Sequence, residues 1–162
     1  INPETRKIIS EISNLSRAGI SLYGLENDPN LKPCLKFITH LAQIKLLKKG
    51  EKTGYEGTFT AKKDVQIGIL PLGYNDGIDR RLSNKGVVTI ERIKCPMIGR
   101  VSMNLTTIDI SGVRNPYIGQ EVFVYSNNRT DKNSIENAAK LCKTIPYDIL
   151  IGLAASTKRI IV

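Results

Sequence analysis

Tryptophan is absent, histidine occurs once, at His40, and cysteine three times, at Cys34, Cys95 and Cys142. A single histidine argues against a His-based triad and against a multi-histidine metal site, so no metal is expected. His40 lies in an alternating apolar segment and reads as a structural or surface residue. The cysteine spacing matches neither a disulfide framework nor a zinc site. An odd number without a pairing pattern fits a reducing, cytoplasmic setting. No apolar run approaches the length of a membrane span, and the start lacks a signal-peptide pattern, so no membrane partner is expected. No basic run is interleaved with aromatics, so nucleic acid is not indicated as a partner. Internal repeats and low-complexity segments are also missing.

What is present is ordinary globular material. The 162 residues are 41% hydrophobic and 24% charged, which suits one domain with a sizeable core. The net charge is +9, with small clusters at Lys45–Lys52, Arg80–Arg81 and Lys158–Arg159. Such a charge is either a lysine-rich solvated surface or a positive field that favours an anionic ligand. The chain opens at Ile1 without a methionine and is expected to be a fragment.

Residues 2 to 15 predict a helix. Asn2 suits its cap, Pro3 its first turn and Glu4 its positive end, and Ile8, Ile9, Ile12 and Leu15 form an apolar stripe. Residues 16 to 24 read as a short apolar strand ending in Gly24. Glu26 to Pro33, with two prolines, reads as a linker. Beyond it the pattern is mainly β. Leu35 to about Leu47 alternates as one long, bent strand, and Lys49-Gly50-Glu51 is a turn. Val65 to Leu72 reads as a buried central strand. Val87–Ile90 and Ile93–Ile98 form a hairpin across Glu91-Arg92. Thr106–Ile110 and Gly119–Tyr125 are further strands. Asn133-Ser134-Ile135-Glu136 resembles a capping box, opening a helix that buries Ile135, Ala138, Ala139 and Cys142. A second short helix starts near Pro146, and Arg159–Val162 closes the sheet as a last strand.

The stretch with the most chemical content is Gly54-Tyr55-Glu56-Gly57-Thr58-Phe59. Glycines on both sides of a tyrosine allow a tight bend and leave a phenol projecting from it. A phenol titrates near pH 10 and serves as a base only where cationic neighbours lower that value. Taken alone, the stretch reads first as a hairpin turn with a surface tyrosine.

The order of motifs resembles the C-terminal part of alanine racemase, a pyridoxal-phosphate enzyme of the bacterial cytoplasm. The matching residues are Arg17-Ala18-Gly19-Ile20, Leu22-Tyr23-Gly24, Leu31-Lys32-Pro33, Gly54–Phe59 and Gly73-Tyr74-Asn75-Asp76-Gly77. They continue through Leu82-Ser83-Asn84-Lys85-Gly86, Cys95-Pro96 and Gly99-Arg100-Val101-Ser102-Met103. The resemblance covers roughly residues 16 to 125, with the motifs in family order. It implies a Greek-key-like β barrel over 30–162 with two short C-terminal helices. Before it, over 1–26, comes a helix–strand remnant of a TIM-type barrel whose cofactor lysine is not in this chain.

The resemblance also implies roles. Tyr55 matches the catalytic tyrosine that exchanges the Cα proton on the face opposite the lysine, across a homodimer interface. Met103 matches a backbone contact to the substrate carboxylate; ordinary packing is its other reading. Tyr74 and Arg100 match residues lining the substrate entrance. Arg17 matches the arginine facing the pyridine nitrogen of pyridoxal phosphate, and Gly19 and Ile20 match backbone donors to its phosphate. Without the resemblance Arg17 reads as a surface residue.

Three departures from the family pattern stand out. Glu56 occupies a position usually held by a small residue, and a carboxylate there raises the phenol's pKa unless it points away. Asn104 replaces an aspartate after the methionine. Ala155 falls near a tyrosine that helps hold the phosphate in some members. Serine is therefore an alternative substrate to alanine. A basic β domain that binds an anionic partner, and a racemase-like dimerisation module without activity, are alternatives of other classes. The fragment alone is expected to be inactive.

Overall fold

The strand expected from Leu35 to about Leu47 is two strands in two sheets. In the computed structural model, which describes residues 3–15, 19–25, 28 and 30–161, β1 (Phe37–His40) ends before Leu41 and β2 (Gln43–Leu47) starts after Ala42. Leu41 exchanges backbone hydrogen bonds with Gly119 and Gln120, at 2.8 and 2.9 Å. Ala42 N–H instead donates to the Ile69 carbonyl, at 2.9 Å. The chain therefore changes partners within one peptide unit. Burial alternates through Phe37, Thr39 and Leu41 and then breaks, with Ile44 half-buried and Leu47 buried, so the even alternation read from the sequence does not continue past the switch.

Next come β3 (Lys52–Thr53), β4 (Phe59–Thr60), β5 (Val65–Leu70), β6 (Val87–Ile90), β7 (Ile93–Pro96), β8 (Thr106–Asp109) and β9 (Glu121–Tyr125). The sheets run β1-β9-β6-β7, β2-β5-β8 and β3-β4, all antiparallel. A bridge between Met97 and Ile108 and a 2.9 Å hydrogen bond from Ile98 N–H to the Thr107 carbonyl link the first two sheets at their far side. The mainly β architecture with two short late helices agrees with the sequence reading, but the ladders are three sheets rather than one uninterrupted barrel. β5 is central in its sheet, as its apolar run implies. Its Gly68 makes room for the sheet switch: a Cβ there would lie 2.6 Å from Leu41 Cδ2.

The hairpin at Glu91-Arg92 has φ of 48° and 69° at those two residues. Both positive values are what a two-residue turn needs to match the twist of its strands, and here two long charged side chains accept them. Leu41, Leu70, Ile78, Ile90, Ile108, Ile110 and Tyr125 are fully buried in one core. Each such aliphatic side chain contributes about 1.5–3 kcal/mol by leaving water. A smaller cluster, Leu47, Ala61, Val65, Ile67 and Ile98, lies apart from it.

Helix α1 (Pro3–Ile12) is the expected first helix, and Ile8 and Ile12 of its apolar stripe are exposed. Residues 20–23, read from sequence as a strand, form a 3-10 turn, Ile20–Tyr23. The apolar run is too short to tell the two apart by periodicity. Helices α2 (Ile135–Cys142) and α3 (Pro146–Ile151) stand where expected. Ser134 caps α2 by accepting from Asn137 N–H, so Asn137, not Glu136, stands at the third position and the reciprocal half of a capping box is missing. Residues 159–161 are not a strand.

Tyr125 is buried, and its hydroxyl donates to the Gly77 carbonyl at 3.0 Å. Tyr125→Phe leaves that carbonyl without this donor and is expected to lower stability by about 1–2 kcal/mol in denaturant unfolding.

Candidate active site

Three loops are linked in series, starting from the one that carries Tyr55. The first is the tight turn Tyr55–Gly57 between β3 and β4. Gly54, which enters it, has φ of 81°, and a Cβ there would lie 2.4 Å from Arg100 N and 2.8 Å from Gly99 Cα. Gly99, with φ of 77°, faces it in return, and its Cβ would come 2.8 Å from the Thr53 carbonyl oxygen. Two glycines thus bring two backbones together where no larger residue fits. The second loop, 99–105, follows β7. The third is Gly73–Asp76 after β5. Tyr74 N–H donates to the Ser102 carbonyl and Asn75 N–H to the Met103 carbonyl, both at 3.0 Å. Gly73 permits this: its Cβ would lie 2.1 Å from the Ser102 oxygen.

The contacts gather Tyr55, Tyr74, Arg100 and Met103, four residues singled out in the sequence, into one connected set of loops. Tyr55 is 59% and Met103 51% exposed, large side chains left free for a ligand or a partner. The Arg80 guanidinium lies 5.8 Å from the centroid of the Tyr74 ring, a cation–π contact. Glu56, in a left-handed conformation with φ of 61°, turns its carboxylate onto Arg100, with Oε2 2.7 Å from Nη1. The carboxylate beside the tyrosine is thus matched by a cation. Asn104 and Ala155 are exposed.

The sequence reading gave no role to Ser83 or Asn84. Asn84 Oδ1 accepts from Gly99 N–H at 2.6 Å, and its Nδ2 donates to Thr58 Oγ1 at 3.3 Å, so it spans two of the loops. Ser83 Oγ accepts from Val101 N–H at 3.0 Å. The available signal was an asparagine before a Lys-Gly turn; its φ of 57° is a conformation asparagine tolerates.

After the third loop, Arg81 Nη2 pairs with Asp79 Oδ2 at 2.6 Å and with Asp148 Oδ2 at 3.0 Å, tying the following 3-10 turn to α3. Hydrogen bonding to Arg81 holds the Asp79 carboxyl below its ordinary value. Thr144, then Arg81, do the same for Asp148. A carboxylate with a depressed folded-state pKa contributes stability above its unfolded pKa, near 4, and loses it as pH falls through the folded value. Arg81→Gln is therefore expected to lower stability at pH 7 and to flatten its fall in acid below about pH 4, as read by unfolding from pH 7 to pH 2.

Gly19 and Ile20 lie elsewhere. Gly19 caps the 3-10 turn without a side-chain hydrogen bond, and a Cβ built on it meets nothing within 4 Å. Among the described residues no hydrogen bond or ion pair links this turn to the Tyr55 loops. The turn is held to the β domain through Arg129, which donates to the carbonyls of Gly24 and Asp28. Arg17 lies outside the described residues.

Residues 34–161 match the family model described as alanine racemase, C-terminal domain. An alanine racemase of Syntrophobacter fumaroxidans is 36% identical over 146 residues, covering 86% of this chain and 39% of its own length. One from Borreliella burgdorferi is 38% identical over 153 residues, with 90% and 40% covered. The crystal structure of alanine racemase from Bartonella henselae with covalently bound pyridoxal phosphate superposes with a TM-score of 0.80 at 29% identity, over 88% of this chain and 40% of that one. The Acinetobacter baumannii enzyme gives 0.78 at 31% identity, over 87% and 40%. The chain thus spans about two fifths of the length of the relatives it matches. With a family model covering most of its residues, the chain belongs to the alanine racemase family and corresponds to that family's C-terminal domain.

Proposed function

We propose that this chain is the C-terminal part of a pyridoxal-phosphate-dependent alanine racemase that works as a homodimer in the cytoplasm and supplies D-alanine for the cell wall. The observation that carries the reading is the convergence of Tyr55, Tyr74, Arg100 and Met103 on three interlocked loops, in a chain of this family. Racemisation needs two acid–base groups on opposite faces of one carbon. Tyr55 is the group this chain supplies, on a turn exposed enough to reach into a partner subunit's site. The Met103 backbone meets the substrate carboxylate, and Tyr74, stacked by Arg80, lines the way in together with Arg100, whose guanidinium attracts a carboxylate there.

The residues on this side fit the cofactor. Gly19 and Ile20 open a turn with free space beside the glycine, where backbone amides can meet a phosphate. Arg17 is the residue proposed to face the pyridine nitrogen. When bound, pyridoxal phosphate supplies an electron sink for the charge left at Cα. The lysine that carries it belongs to the part of the relatives that this chain does not span. The division into a barrel tail over 1–26 and a β domain over 30–162 goes with this reading, and the fragment alone is inactive.

The test is racemisation of L- and D-alanine, with serine in parallel, by the full-length protein. Interconversion of alanine above that of serine is expected. Cofactor bound without turnover of either would favour the inactive dimerisation module.

A further inference from the structure

We propose that Glu56 is a specificity-determining residue: its carboxylate occupies Arg100 in the free protein, and a carboxylate ligand must displace it to engage that arginine. The proposal deepens the racemase reading and rests on it for the identity of the ligand.

The ion pair joins residues far apart in sequence, and three features build it. The Gly54–Gly99 approach sets the two backbones side by side. The left-handed conformation at Glu56 then turns its side chain back across the loop toward Arg100. Asn84 fixes the same pair of loops from the other side through Gly99 and Thr58. A left-handed backbone is unfavourable for glutamate compared with glycine. The 2.7 Å contact is the one ion pair Arg100 makes among the described residues.

Arg100 is 34% and Glu56 71% exposed at their side chains, so the pair is accessible and exchangeable. A ligand carboxylate that has to displace Glu56 binds Arg100 more weakly than it would bind a free guanidinium, because the internal pair is given up. Partly exposed pairs are modest in strength, so the internal carboxylate weakens an external one without shutting it out. Glu56 thereby sets how strongly the entrance holds a carboxylate, and it disfavours ligands with additional negative charge.

Propionate, a carboxylate without an amine, is the probe. The full-length protein is titrated with it by calorimetry as wild type, Glu56→Gln, Arg100→Gln and the double variant. Glu56→Gln is expected to bind propionate about two- to fivefold more tightly at low salt. The gain shrinks at high salt and is absent from the double variant. Glu56→Gly, melted alongside, reports the backbone effect separately: a role confined to loop structure would shift its melting temperature and leave propionate binding by Glu56→Gln unchanged. Unchanged affinity in Glu56→Gln, an equal gain in the double variant, or no propionate binding by any of the proteins overturns the proposal. Alanine racemisation by the wild type is scored independently. Activity with an unresponsive propionate affinity sinks the role of Glu56 alone. An Arg100-dependent propionate response in a protein that racemises neither alanine nor serine sinks the racemase reading alone.

Discussion

Tyr55→Phe in the full-length protein is expected to lower kcat for alanine racemisation by about 100-fold or more, with KM changed little. The substitution keeps the ring and removes only the hydroxyl that would carry the proton. Tyr55 is exposed at the tip of a glycine-bounded turn, so the loss of its hydroxyl leaves no buried group unpaired and the fold stays intact. A matching melting temperature in the two proteins would assign the loss to chemistry. A kcat that survives the change would remove Tyr55 from the proton path while leaving family membership untouched.

Gly73→Ala is expected to be the most disruptive of the loop substitutions. Its new methyl would sit 2.1 Å from the Ser102 oxygen and 2.3 Å from the Met103 oxygen, both backbone atoms that cannot swing aside. Overpacking of this kind costs about 1–3 kcal/mol, and here two hydrogen bonds between the loops are strained as well. Stability and kcat/KM should fall together, because the same clash displaces Tyr74 and Met103. Gly112→Ala is the control: its nearest contact would be Ile93 Cγ2 at 3.6 Å, an ordinary separation, and the expected change is within about 0.5 kcal/mol. Denaturant unfolding of both variants checks the difference.

Local chemistry made much of the β domain legible. The central strand over Val65–Leu70, the Glu91-Arg92 hairpin and the buried face of α2 follow from runs and periods that each element carries within itself. What depends on partners was not legible. The switch at Leu41-Ala42 moves the chain to another ladder and breaks an alternation that reads as continuous in the sequence. The 3-10 turn at Ile20–Tyr23 has the composition of a strand, and residues 159–161 have strand-like residues but join no ladder among the described residues. Likewise, Tyr55, Tyr74, Arg100 and Met103 were named by their motifs, but what joins them is backbone contact at Gly54, Gly73 and Gly99. Glu56 shows the limit most plainly. Its neighbour in sequence is the tyrosine, yet its carboxylate meets an arginine that only the folded loops bring near.

The most direct measurement is Cα proton exchange in deuterated water, followed separately for L- and D-alanine, with the full-length protein as wild type and Tyr55→Phe. If Tyr55 serves one face of the carbon, the variant loses exchange from one enantiomer and keeps it from the other, and racemisation stops. Loss of exchange from both enantiomers, or from neither, would contradict a one-face role for Tyr55.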